Sequence, residues 1–393
     1  MSPPPTNPDP QVAALQASGL DVEIRDNHIL VTNVPYVAPD GTLKVGSLVD
    51  PLTLNGTALA APRDHTMYWI GDHPHRADGA KLSSIQHSSN SITLAGNIQV
   101  NHRFSARPNP AGKYDDFHHK FTTYYDIIAR HAFEKDPKLN PETNGTASVE
   151  INPHPFRYVD TATARAEITA IAGKLRGQSI AIIGLGGTGS YILDFVSKTP
   201  VEKIHLFDGD VMEQHNAFRA PGAVQANVFE EARPKVIHHQ QSYDAMHGGI
   251  SSHAEHLVAE NIEQLNEMDF AFICLDNGLA RRTIVEFLTQ KGIPFIDTGM
   301  GVNRVDDELI AMVRTTIVTP TKNDHAPRLP FHDNDANDYD TNIQIAELNA
   351  LNAAFAVIRW KRFNGIYRTM DNEHDFQFST LVNDIFKEEH ADA

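Results

Sequence analysis

Hydrophobic and polar positions follow two different rhythms along this chain, and the change of rhythm divides it in two. Over the first third, apolar residues alternate with polar ones at a period of two, the pattern of strands with one covered face. Val22 to Val37 reads as a strand or hairpin ending at APDG, Leu43 to Leu59 and Thr66 to Ile70 as short strands, and Ser91 to Phe104 as another pair. Residues 11–19 read as a short helix. From Lys120 to Phe133 the period lengthens to three and four, placing Phe121, Tyr124, Ile127, Ile128 and Ala132 on one broad helical stripe. The run KDPKLNPETNGTASVEINPHP then interrupts every period with Pro, Asn and Gly. These patterns predict a disordered tail over 1–10, an α+β domain over 11–140, a linker over 141–156 and a second domain over 157–393.

In the second domain strands alternate with helices. Asp160 caps a predicted helix, TATARAEITAIAGKL, with Ile168, Ile171 and Leu175 on its stripe and Gly177 at its end. Ile180 to Ile183 is a short apolar strand, a helix opens near Thr188, and Val201 to Phe207 returns as a strand. DFAFICLDN reads as a third strand and GLARRTIVEFLTQ as the helix after it. Pro294 to Val318 continues the sheet. Ile343 to Phe363 reads as a long helix with Ile345, Leu348, Leu351, Phe355 and Ile358 on its core stripe and Trp360 in core or interface. Phe376 to Ile385 reads as a last strand before a frayed tail. The predicted fold class is α/β, a Rossmann-like mixed and mostly parallel sheet with helices on both faces, preceded by the α+β domain.

Candidate chemistry concentrates between Ser179 and Arg219. Gly184, Gly186 and Gly189 have G-x-G-x-x-G spacing after a strand and before a helix. Such a turn lets backbone approach an anion, which the helix N-terminus then faces. By itself the turn allows NAD, with Asp208 on a ribose hydroxyl. Arg219, Lys235 and Asp276 point elsewhere. A hydride-transfer site has little use for two cations and a second acid, whereas phosphoryl or nucleotidyl transfer needs cations and a metal around developing phosphate charge.

With these residues together, the chain resembles the ThiF/MoeB/HesA superfamily of ubiquitin-activating-enzyme-like adenylyltransferases. The resemblance rests on GLGGTGS at 184–190, FDGD at 207–210, N-x-x-R at 216–219, PK at 234–235, CLDN at 274–277 and PFIDTGMG at 294–301, and runs from about Ile168 to the end. It implies binding of ATP·Mg²⁺ and adenylation of the C-terminal glycine carboxylate of a ubiquitin-like protein. Carried over by position, Gly184, Gly186, Gly187 and Gly189 cradle the nucleotide, Asp208 holds the ribose and Asp210 shapes the loop. Asn216 and Arg219 grip phosphates, Lys235 reaches the outer phosphates, and Asp276 holds Mg²⁺ beside Asn277. A helix-capping role for Asp276–Asn277 is the plain alternative. The family's additional arginine is assigned to Arg165, with Arg157 as the other candidate. The resemblance also implies a homodimer. The N-terminal domain is read as a docking element for a conjugating enzyme, or as a dimer-stabilising extension. The alternative functions are adenylation of a peptide or small acid, a nucleotide-binding scaffold, and an NAD-dependent oxidoreductase.

Cys274 is the one cysteine in 393 residues. Paired cysteines that hold structural zinc in many relatives are therefore missing, and no enzyme thioester is available in the segment Pro320 to Asn342. Cys274 itself reads as a packing residue. A hydroxyl of Thr319, Thr321 or Thr341 is a candidate for an oxyester only if His325 or His332 serves as its base. Asp333, Asp335 and Asn337 are spaced as in a calcium loop, but Asp338 replaces the central glycine and Gln344 the final Glu, so the segment reads as an acidic loop.

Net charge is −17, which argues against nucleic acid or an acidic membrane as partner. No apolar run reaches membrane length and no signal peptide is evident. A single thiol suits a reducing cytoplasm. The 21 histidines show no metal-ligand spacing.

Overall fold

The computed structural model describes residues 9–56, 58–108, 112–139, 147–149, 155–158, 160–331, 343–370 and 373–388. Residues 1–8 of the tail expected over 1–10, His332, Thr341 and the acidic segment 333–340 lie outside these residues, whereas Asp9 caps and Pro10 begins the helix Pro10–Ala17. The chain forms two compact units, one comprising Met1–Pro153 and Val159–Gly173, the other His154–Tyr158 and Lys174–Ala393.

In the N-terminal unit, seven strands form one sheet in the order Ala147–Val149, Asp21–Arg25, His28–Val37, Leu43–Pro51, Thr66–Ile70, His102–Ser105, Gln86–Ser88. Only the first pair is parallel. Asp26 and Asn27, both at positive φ, make the two-residue turn that resolves Val22 to Val37 into a hairpin. Ser91 to Phe104 divides differently from expectation. Ile92–Ala95 pairs with Ile98–Val100 in a separate small sheet, and His102–Ser105 joins the main one. The helix Phe117–Lys135 starts three residues before the predicted point, because Asp116 caps it by accepting from the His119 amide at 2.7 Å. Phe117, Phe121, Tyr124, Ile128 and Ala132 bury its inner face. Lys120 lies on that face too, fully buried, with Nζ 2.6 Å from Asp50 Oδ2.

The predicted helix over TATARAEITAIAGKL is broken. Asp160 does cap it, accepting from the Ala162 and Thr163 amides, but Glu167 takes φ +59 and splits it into Thr161–Arg165 and Thr169–Ala172. Ile168 and Ile171 are consequently exposed rather than on a buried stripe.

The C-terminal unit is a mixed α/β sheet of eight strands: Ile250–His253, Lys203–Phe207, Ser179–Ile183, Phe270–Ile273, Phe295–Val305, Glu308–Val318, Asp375–Ser379, Asp384–Glu388. The first five are parallel and the last three antiparallel. The expected last strand is thus a hairpin, turned at Asn383 with positive φ. Strand order reverses between Ser179–Ile183 and Phe270–Ile273. At such a switch point connecting chains leave to opposite sides and open a crevice beyond the strands' carboxyl ends. The edge strand Ile250–His253, sequence ISSH, carries too little apolar pattern to have been read in advance.

The long helix spans Ala346–Phe363, and its buried face differs from the predicted stripe. Leu348, Asn349, Asn352, Ala353, Ala356, Val357 and Trp360 are buried, while Ile358 is exposed. Small residues prevail there because the helix packs closely on Gly187–Val196, where a Cβ on Gly187 would lie 2.2 Å from the Asn349 amide. Trp360 belongs to the core, completely covered against Phe270 and Phe272.

Candidate functional site

The site begins in a turn whose conformation the glycines make possible. Gly184 has φ +90, and a Cβ there would sit 2.5 Å from the Cys274 carbonyl oxygen. A Cβ on Gly189 would lie 1.8 Å from the Gly184 oxygen, so that glycine allows the helix Gly187–Val196 to pack on the turn. Gly186 is the helix N-cap and faces open space: a Cβ there would meet nothing within 4 Å. The helix N-terminus therefore opens onto the crevice with its unpaired amides, an arrangement that attracts anions.

Asp208, at the end of the neighbouring strand, is buried and braces this turn. Its Oδ2 accepts from the Leu185 amide at 2.7 Å and its Oδ1 from the Asp210 amide at 2.9 Å. Lys235 starts the helix Lys235–Tyr243 and is buried along its stem, with Nζ 2.6 Å from Asp210 Oδ2. That pairing holds the Asp210 carboxyl below its ordinary value despite the opposing effect of burial. His256 approaches the same carboxylate, with Nε2 3.7 Å from Oδ1.

Arg219 is half buried. Its Nε is buried and has no hydrogen-bond partner among the described residues. Burial lowers its pKa, opposed by the charges of Asp276, Asp210 and Glu213. Asp276 is exposed and has no hydrogen-bond or ion-pair partner among the described residues. A buried guanidinium nitrogen without an acceptor among the described residues, an amino group held on an exposed carboxylate and an open helix N-terminus together suit a polyphosphate. A single free carboxylate in an open cleft suits Mg²⁺, which takes one or two protein carboxylates and completes its shell with phosphate oxygens and water.

Gly184, Gly186, Gly187, Asp208, Asp210, Arg219, Lys235, Asp276 and Asn277 all line one cleft of about 1230 Å³. Two of the predicted residues do other work. Asn216 is buried and does not line the cleft; its Oδ1 accepts from the Glu213 amide at 2.9 Å in a capping box. Asn277 lines the cleft, but its Oδ1 caps the helix Gly278–Lys291 by accepting from the Ala280 amide at 2.8 Å. The capping alternative thus holds for Asn277. Arg165 ends a short helix in the N-terminal unit, and its side chain is not among those described. Arg157 is paired with Asp244 at 2.7 Å.

Two buried charges near the cleft, Asp297 and Arg281, and the partly buried Arg314 escaped sequence reasoning. Asp297, completely buried, lies 3.1 Å from Arg281 Nε and 2.5 Å from Arg314 Nη2. PFIDTGMG contained the signal, since an acid inside an apolar strand requires a buried cation. Cys274 packs beside Gly189, and burial pushes its thiol up to about 12. His325 does not serve Thr319 or Thr321. Its Nε2 lies 2.8 Å from the Ile317 carbonyl oxygen, while Thr319 Oγ1 accepts from the Lys322 amide and sits 3.3 Å from Thr321 Oγ1. Among the described residues, no cluster of three or more His, Cys, Asp or Glu forms a metal site.

Fold and cleft together define an α/β unit with a glycine turn and an open helix N-terminus at the sheet's switch point. Residues 164–324 match the ThiF family. Residues 10–161 match a domain of unknown function, DUF6791. Ubiquitin-like modifier-activating enzyme 5 of Rattus norvegicus is 25% identical over 166 residues, 39% of this chain and 40% of that protein. Its Drosophila grimshawi counterpart is 25% identical over 191 residues, 46% of each. The chain thus spans less than half the length of these relatives. Among solved structures, PaaA is similar at 18% identity and a TM-score of 0.44, over 56% of this chain and 66% of that one. E. coli MccB with ATP is similar at 16% identity and a TM-score of 0.42, over 56% and 65%.

Proposed function

We propose that the C-terminal unit is an adenylyltransferase that activates the C-terminal carboxylate of a ubiquitin-like protein with ATP. The observation that carries this reading is the gathering of Arg219, Lys235 and Asp276 in one cleft beside the open Gly186 N-cap. The ThiF domain and the likeness to ubiquitin-like modifier-activating enzyme 5 support a carboxylate of that kind as substrate. The carboxylate oxygen attacks the α-phosphorus, the bond from that phosphorus to the β-bridging oxygen breaks, and pyrophosphate leaves. Amides of the turn and helix N-terminus hold phosphate oxygens. Arg219 supplies Nε, which has no partner among the described residues, to a phosphate oxygen, and Lys235 exchanges Asp210 for outer phosphate oxygens. Magnesium, held by Asp276, would neutralise charge on the leaving pyrophosphate.

The acyl adenylate passes directly to a partner's nucleophile. A thiol held at about 12 on Cys274 is not a competent acceptor, and the Thr319 and Thr321 hydroxyls lack the His325 base. ATP–pyrophosphate exchange with a ubiquitin-like protein ending in free Gly-Gly tests the assignment. Wild-type protein should exchange label, and Arg219→Ala and Asp276→Ala should stay folded with little exchange. A folded Asp276→Ala protein with full activity would defeat it. Exchange with a short peptide or small acid alone would shift the substrate class.

A further inference from the structure

Arg281 lies on the first turns of the helix Gly278–Lys291 and is 7% exposed. Helical side chains point back toward the helix N-terminus, here toward the strand end that carries Asp276. Its guanidinium reaches three separate stretches of chain. Nη2 donates to the Leu275 carbonyl oxygen, one residue before Asp276. Nη1 donates to the Pro330 carbonyl oxygen at 2.7 Å, and Nε is 3.1 Å from Asp297 Oδ1. Asp297 is fixed from its other side by Arg314. Arg282 adds to the same anchorage, its guanidinium lying 4.9 Å from the Phe331 ring centroid. Asp276 itself has no side-chain partner among the described residues, so its position depends on the backbone that bears it.

We propose that Arg281 is a positioning residue for Asp276: its guanidinium fixes the Leu275 carbonyl, and with it the metal-binding carboxylate, against Asp297 and Pro330. The inference rests on the nucleotide reading above. The fork geometry explains the residue type, since the two Nη groups of a planar guanidinium donate to two carbonyls while its charge stands in an ion pair with Asp297, whereas an ammonium is a single point charge. An arginine recruited only to neutralise Asp297 would not need both carbonyls. Residues that orient a metal ligand without touching the metal typically change metal affinity about 10–100-fold when altered.

The test compares Arg281→Lys and Arg281→Gln with wild-type full-length protein. Mn²⁺ binding in the presence of ATP is read by electron paramagnetic resonance, ATP binding in excess chelator by calorimetry, and folding by circular dichroism. Both variants should bind Mn²⁺ about tenfold more weakly, with metal-free ATP affinity unchanged, and recover pyrophosphate exchange at high Mg²⁺. Unchanged Mn²⁺ affinity in a folded variant overturns the proposal. So does an equal loss of metal-free ATP binding, or failure of both variants to fold, because each assigns Arg281 to general architecture. Wild-type protein that binds neither Mn²⁺·ATP nor ATP refutes the nucleotide reading instead, before any variant is considered.

Discussion

Lys235 holds Asp210 across 2.6 Å, while Asp208 Oδ1 stands 3.8 Å from the same ammonium. The two aspartates are not equivalent. Asp208 is occupied by two backbone amides, whereas Asp210 is half exposed and can return to water. Removing Lys235 releases Asp210 to water and leaves the buried Asp208 held by its two backbone amides. Lys235→Met should keep its melting temperature close to that of wild type and lose about a hundredfold in ATP–pyrophosphate exchange, the usual effect of deleting one transition-state donor. Exchange kinetics beside a thermal melt check this, and a large drop in melting temperature would mean the lysine is chiefly structural.

Two glycines of the turn should respond in opposite ways. Gly189→Ala places a methyl 1.8 Å from the Gly184 oxygen and should unfold or strongly destabilise the C-terminal unit. Gly186→Ala meets no atom within 4 Å, so the fold should survive while the methyl occupies the space in front of the helix N-terminus. Thermal melts with and without ATP separate the two: Gly186→Ala should melt normally and lose the upward shift that ATP gives wild type.

Cys274 should be chemically silent. Burial pushes its thiol up to about 12, so little of it is thiolate at pH 8. Iodoacetamide at pH 8 should leave native protein unmodified and label it fully in denaturant, as read by intact mass. Cys274→Ala should cost about 1 kcal/mol for the deleted buried atom. It should retain both exchange and acyl transfer to an added thiol or amine; a folded Cys274→Ala protein that still exchanges but no longer transfers would contradict direct transfer.

His239 lies behind the turn, and burial is the main reason its pKa falls to about 3, with His238 and Lys235 adding to the effect. In the unfolded chain the same imidazole titrates near 6.5. Between these values the unfolded state binds more protons, so stability rises with pH. The contribution is present above pH 6.5 and is lost as pH falls toward 3. Melting temperatures recorded at constant ionic strength from pH 8 to pH 4 should fall on acidification, and more steeply for wild type than for His239→Gln. Parallel profiles would show that His239 is not a source of the acid lability.

The α/β class, the glycine turn and the cluster of Asp208, Arg219, Lys235 and Asp276 were all readable from residue order. Each depends on local facts: apolar runs of strand length, glycine spacing, and charged residues placed just past strand ends. Bury patterns that depend on neighbours were not readable. Ile358 has the right spacing for a core position, yet Ala353 and Ala356 are buried in its stead because the helix must approach Gly187. Asn216 and Asn277 have the polarity of ligand contacts, yet the Oδ1 of each also accepts from a backbone amide, a second role that residue order did not distinguish. Nothing in residue order singles out Arg281; Leu275, Asp297 and Pro330, from separate stretches of the chain, are brought around it by the fold. Strand and turn propensities act over a few residues and are written in sequence. The choice among partners for a polar side chain is made between distant segments, and becomes definite once packing has removed water as the competitor.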